Sequence, residues 1–131
     1  MDMANSPAYE VAICRRIDAV GWKNCALSAI TVEELQRGVL TGPKANKSHE
    51  VRNLKAHIAK FRQIDFTPDA ARRSAAVRVA VDQARPIKNQ RDPGINDLLL
   101  AGHALAERRA VVTADAGFAR VLGLKLENWR A

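Results

Sequence analysis

Three carboxylates stand where a chain alternating helix and strand would gather them. Glu34 lies one short turn beyond the apolar run Ala26 to Ile30, Asp97 opens an apolar helix, and Asp115 lies just beyond Ala110 to Val112. If the strands are parallel, all three project at one sheet edge, outside the carboxyl ends, where open α/β sheets bind ligands. Acids gathered in this way repel one another unless a cation sits among them. Mg²⁺ or Mn²⁺ suits such a set, because hard ions prefer oxygen ligands. A centre of Glu34, Asp97 and Asp115 could activate water and stabilise charge on a scissile phosphate. Each acid also has a plainer reading. Glu34 stands three residues after Thr31, in capping-box register. Asp97 could be a first-turn acid favoured by the helix dipole, and Asp115 a turn residue after a strand.

The stretch from Ile95 to Asp115 must position two of the three. Leu98, Leu99, Ala101, Leu105 and Ala106 repeat at helical spacing, and Pro93-Gly94 precede them as a loop handing over to a helix. Ala110-Val111-Val112 reads as a short central parallel strand. A helix of about twelve residues is about 18 Å long, and the five or six returning residues cover about the same distance. Asp97 and Asp115 are therefore expected as neighbours.

Elsewhere, Ala8 to Val20 reads as an amphipathic helix stopped by Gly21, and Asn24 to Thr31 as a buried strand. Thr31 then opens a second helix, which Gly42-Pro43 stops. Lys44 to Arg62 reads as a longer helix with Val51, Leu54, Ile58 and Phe61 on one face. Lys44, Lys47, Arg52, Lys55, Lys60 and Arg62 lie on the other, which is either a solvated face or part of a phosphate path. Ile64 to Phe66 suggests a short strand. Thr67-Pro68-Asp69 is a helix start with cap, proline and acid in order, and the small residues Ala70, Ala71, Ala75, Ala76 and Ala80 predict close packing of that helix. A last strand is expected at Leu124 to Leu126. The alternation predicts an α/β domain with a mostly parallel central sheet flanked by helices.

Composition narrows the partners. A length of 131 residues suffices for one domain with a real core. The net charge of +7 favours a polyanion, nucleic acid first. No apolar run reaches membrane length and no secretory leader pattern opens the chain, so a membrane partner is not expected. Cys14 and Cys25 lack framework spacing, which points to a reduced, cytoplasmic setting. His49, His57 and His103 are isolated and are expected at surface or edge positions.

Four segments in order carry a family resemblance: SAITVEELQRGV from Ser28 to Val39, INDLLLAGHALAE from Ile95, VVTAD from Val111 to Asp115, and GLKLENW from Gly123 to Trp129. Together they resemble PIN domains, and more narrowly the VapC-type toxins of bacterial toxin–antitoxin pairs. The resemblance implies a Mg²⁺- or Mn²⁺-dependent endoribonuclease, an RNA substrate, a small cognate antitoxin and frequent homodimers. By the same resemblance Glu34, with Glu33 as the weaker candidate, Asp97 and Asp115 are the metal-holding catalytic acids, and Thr113 is the hydroxyl that accompanies Asp115. The family often has a further acid at the place of Gly117.

Family members also open with an apolar strand ending in Asp-Thr-Asn, which supplies the first metal ligand. Here the segment from Asn5 already resembles the stretch that normally comes after that strand and its turn, and Asp2 reads as a chance mimic. The expectation is thus a single PIN-like domain over residues 1–131, N-terminally truncated, with its first strand missing. Two functions are open: a metal-dependent endoribonuclease, or an impaired remnant that binds antitoxin or RNA without turnover.

Overall fold

The computed structural model describes residues 7–42, 47–84 and 92–129. Five helices and four short strands are found there, in the order α1 (Pro7–Val20), β1 (Ala26–Ser28), α2 (Ala29–Leu40), α3 (Lys47–Ile58), β2 (Arg62–Ile64), α4 (Pro68–Gln83), α5 (Ile95–Ala106), β3 (Val111–Val112) and β4 (Leu126–Glu127). Short 3-10 turns cover Trp22–Asn24 and Ala116–Arg120. The α/β class expected from the alternation holds, and both strand pairings are parallel. The strands are shorter than the apolar runs suggested and form two separate pairs, β1 with β2 and β3 with β4. The chain divides into two compact units: Met1–Arg16 with Thr67–Ala131, and Ile17–Phe66. Asp2 and Lys44 lie outside the described residues.

The first unit is organised on α4 and α5. Thr67 caps α4 as predicted, its Oγ1 accepting from the Ala70 amide at 3.1 Å, with Pro68 first in the helix and Asp69 in its first turn. The predicted small-residue packing takes a different face. Ala70, Ser74, Val77 and Val81 are buried, whereas Ala71, Ala75, Ala76 and Ala80 face solvent. The buried set follows the i, i+4, i+7, i+11 stripe that one helix lays on another. Closest approach falls at Gly102 of α5. A Cβ there would lie 2.2 Å from Ser74 Oγ and 2.4 Å from Ser74 Cα and N, so only glycine fits. Ser74 Oγ donates to the Leu99 carbonyl at 3.1 Å across the same seam. Val77, Val81, Leu98, Ala101, Ala104, Val111, Phe118 and Val121 make one core cluster. His103 is 2% exposed, a correction to its expected edge position, because α5 is packed on more than its apolar stripe.

α5 ends in a Schellman arrangement. The Arg108 amide donates to Leu105 O at 3.2 Å and the Arg109 amide to Ala104 O at 2.9 Å, with Arg108 at φ 54°. Glycine usually takes that left-handed place; here an arginine bears the steric cost.

The second unit holds β1, α2, α3 and β2. Its register pairs Ala26 with Arg62 and Ser28 with Ile64. Two element boundaries move relative to expectation. The apolar run from Asn24 divides into a 3-10 turn, a three-residue strand and the first turn of α2, because Ser28 Oγ accepts from the Ile30 amide at 3.1 Å and caps the helix there. Helix α3 stops at Ile58, and the turn through Phe61 leads into β2 two residues earlier than expected. Lys47 Nζ donates to the Leu40 carbonyl at 2.8 Å, closing the end of α2. The Trp22 and Phe61 rings meet at 5.0 Å with a 46° tilt, and Trp22 Nε1 donates to Asp18 Oδ1 at 3.2 Å.

Candidate active site

Asp97 lies in the first turn of α5 and is half-buried. Its Oδ2 accepts from the Gly94 amide at 3.2 Å. Glycine has no side chain to return the bond, so this is one half of a capping box. The interaction fixes the carboxylate at the head of the helix, where the dipole favours an anion.

Asp115 is set by a second local device. β3 runs parallel to β4, with the Val111 amide bonded to Lys125 O at 2.9 Å and the Thr113 amide to Glu127 O at 3.0 Å. Beyond the last of these bonds, Thr113 Oγ1 accepts from the Asp115 amide at 3.0 Å, and Asp115 Oδ1 accepts from the Gly117 amide at 2.9 Å. Asp115 is thereby the cap of the turn Ala116–Arg120. Thr113 holds the backbone of Asp115, and Gly117, at the family's further acid position, supplies an amide.

The turn that begins at Asp115 packs against α5, and Leu98 and Phe118 share the core cluster. Arg120, last in that turn, forms an ion pair with Asp92, just before Gly94. The arginine side chain is 5% exposed and the aspartate 75%. Sequence reading missed this pair, since no local spacing couples residues so far apart. Glu127 is tied outward as well: Arg16 approaches its Oε1 at 3.5 Å, Trp129 Nε1 donates to it at 3.4 Å, and the Arg16 guanidinium lies 5.6 Å from the centre of the Trp129 ring.

In the other unit the two glutamates separate cleanly. Glu33 is exposed and paired with Arg37 at 3.0 Å, one helical turn on. Glu34 is half-buried and lies past the first turn of α2, which holds no acid. Because Ser28 rather than Thr31 caps the helix, the capping-box explanation of Glu34 does not apply.

The oxygen chemistry of Glu34, Asp97 and Asp115 suits a hard divalent ion. Among the described residues, no three His, Cys, Asp or Glu side chains form a group that could hold a metal ion. An oxygen of Asp97 and one of Asp115 face backbone amides instead. Arg52, Lys55, Lys60 and Arg62 are exposed cations, as the charge pattern suggested, while Lys47 is engaged as a cap. Cys14 is exposed and Cys25 half-buried, and no helix among the described residues is long and apolar enough to cross a membrane.

The PIN domain family model matches residues 5–124. Ribonuclease VapC2 of Rickettsia felis is 34% identical over 105 residues, which cover 79% of this chain and 73% of that protein. In structure the chain is similar to VapBC2 from Rickettsia felis bound to a DNA fragment from its promoter, with TM-score 0.78 and 31% identity over 91% of this chain and 86% of that one. It also shares its fold with DNA-bound VapBC from Salmonella typhimurium, with TM-score 0.77 and 23% identity, covering 90% and 84% of the two chains.

Proposed function

Since the chain belongs to the PIN-domain family, and within it to the VapC toxin type, we propose that it is a metal-dependent endoribonuclease. Glu34, Asp97 and Asp115 are the carboxylates that would hold Mg²⁺ or Mn²⁺. The observation that carries this reading is the packing of two acid-bearing segments, the head of α5 and the turn beyond β3, at the carboxyl end of a parallel strand pair. The family model spans both units, so they are read together as one PIN-like domain.

The chain's own groups have separable tasks. Asp97 and Asp115 present carboxylate oxygens from rigid backbone supports, and Thr113 fixes the second support. Glu34 adds a half-buried acid from a helix whose cap lies elsewhere. Arg52, Lys55, Lys60 and Arg62 attract the RNA backbone without reading bases. A hard divalent ion supplies Lewis-acid stabilisation of charge at a phosphate and activates water.

The relatives in solved structures are complexes of VapC with VapB, which supports a cognate antitoxin for this chain; a homodimer and a cytoplasmic setting complete the proposal. A second reading is an antitoxin- or RNA-binding module without turnover.

The test is cleavage of RNA by this chain with Mg²⁺ or Mn²⁺ and with EDTA, alongside Asp97→Asn. Loss of several kcal/mol of charge stabilisation lowers kcat by at least about a hundredfold. Cleavage that survives EDTA or Asp97→Asn rejects the nuclease reading. A folded protein that binds RNA without cutting it selects the second.

A further inference from the structure

We infer that the ion pair between Asp92 and Arg120 is a clasp that positions the two acids of this unit relative to one another. The inference rests on reading Asp97 and Asp115 as working groups and adds a pair of positioning residues behind them.

The placement carries it. Asp92 stands in the loop that delivers the chain to α5, two residues before Gly94, whose amide is held by Asp97. Arg120 closes the turn that Asp115 opens, three residues after Gly117, whose amide is held by Asp115. Each of these two bonds fixes a carboxylate to its own segment. The guanidinium of Arg120 on the carboxylate of Asp92 ties one segment to the other. The arginine side chain is 5% exposed. A buried cation is tolerated when it is paired and becomes costly when its partner is removed. The guanidinium fork also prescribes direction as well as distance, which an ammonium would not. Phe118 and Val121, both buried, flank the arginine in sequence and hold its backbone in the core. The exposed partner is thus drawn to a fixed point, and with it the head of α5.

Asp92 is 75% exposed, so its substitution takes no side chain out of the core, although it leaves the buried Arg120 charge without that carboxylate. The deciding measurement is solvent exchange of the Gly94 and Gly117 amides, read by NMR in the wild type, Asp92→Asn and Asp92→Glu. In Asp92→Asn both amides exchange at least tenfold faster while the Ala101 amide in the middle of α5 is unchanged; Asp92→Glu restores slow exchange at Gly117. Acceleration confined to Gly94 overturns the clasp, because the effect then stops at the loop. So does uniform acceleration that includes Ala101, which marks a merely structural pair. Unchanged exchange at both glycines overturns it too. Arg120→Met, which removes the buried charge, gives the same pattern if the clasp is real.

RNA cleavage is the second readout. Asp92→Asn lowers kcat about tenfold with KM unchanged, whereas full wild-type kcat in this variant rejects the positioning role. Activity that persists in Asp97→Asn rejects the nuclease reading, and the exchange data judge the clasp independently of it.

Discussion

The unit built from Met1–Arg16 and Thr67–Ala131 and the unit Ile17–Phe66 hold their backbones by different means. In the first, Leu98, Ala101, Val111, Phe118 and Val121 belong to one buried cluster, and α4 and α5 approach so closely that Gly102 has no room for a Cβ. In the second, Ile17 and Ile58 are the buried apolar side chains among the described residues, and α2 has none. That unit relies on the Ser28 cap, the Lys47 bond to Leu40, the Glu33–Arg37 pair and the tilted Trp22–Phe61 contact. A buried large apolar side chain contributes about 1.5–3 kcal/mol, whereas an exposed ion pair contributes about 0–1. The difference suggests a division of labour. Asp97 and Asp115 sit on the packed unit, where rigidity fixes a carboxylate; Glu34 and the cations of α3 sit on the sparsely packed one, where segments that adapt to a partner are commonly found.

Substitutions can break this contrast. Phe118, 3% exposed in the core cluster, costs about 3–5 kcal/mol when changed to alanine. Leu40, 59% exposed, costs within about 0.5 kcal/mol. Denaturant unfolding of both variants measures the gap, and equal costs would remove the distinction between the units.

Glycine replacement sharpens it, because the two units call for opposite signs. Gly102→Ala forces apart backbone atoms of α4 and α5 and destabilises by about 1–3 kcal/mol or more. Gly38→Ala in α2 places a Cβ with nothing within 4 Å and stabilises by about 0.5–1 kcal/mol through the unfolded chain. Thermal unfolding should show Tm moving down for the first and up for the second; an upward shift for Gly102→Ala would mean that the α4–α5 seam is looser than its geometry.

The smallest effect is expected at the end of α5. Arg108 occupies the left-handed place of the Schellman turn at φ 54°, and glycine there relieves the steric cost while adding freedom to the unfolded chain. The net is a stabilisation of about 0.5 kcal/mol, read as a small rise in denaturant midpoint. A clear loss of stability would show that the Arg108 side chain does something the backbone does not.

Much of the local fold was legible in residue order. The Gly21 stop, the Thr67-Pro68-Asp69 start and the span of α5 are set by groups within a few residues of one another, so neighbouring side chains suffice to read them. The α2 boundary failed by a small margin. Ser28 and Thr31 are both competent caps, and only the pairing of β1 with β2 through Ser28 decides which is used. The outward small residues of α4 were misread because alanine suits a helix surface as well as a seam.

The sequence by itself determined the α/β alternation and the basic character of α3, and it singled out Glu34, Asp97, Asp115 and, through its family resemblance, Thr113 as candidates. These depend on residue type and short-range spacing. Tertiary structure alone decided which face of α4 is buried, that His103 lies inside, and that Asp92 meets Arg120. Each of those depends on which distant segments share a surface. Close packing settles that among many alternatives that short-range spacing leaves equally open.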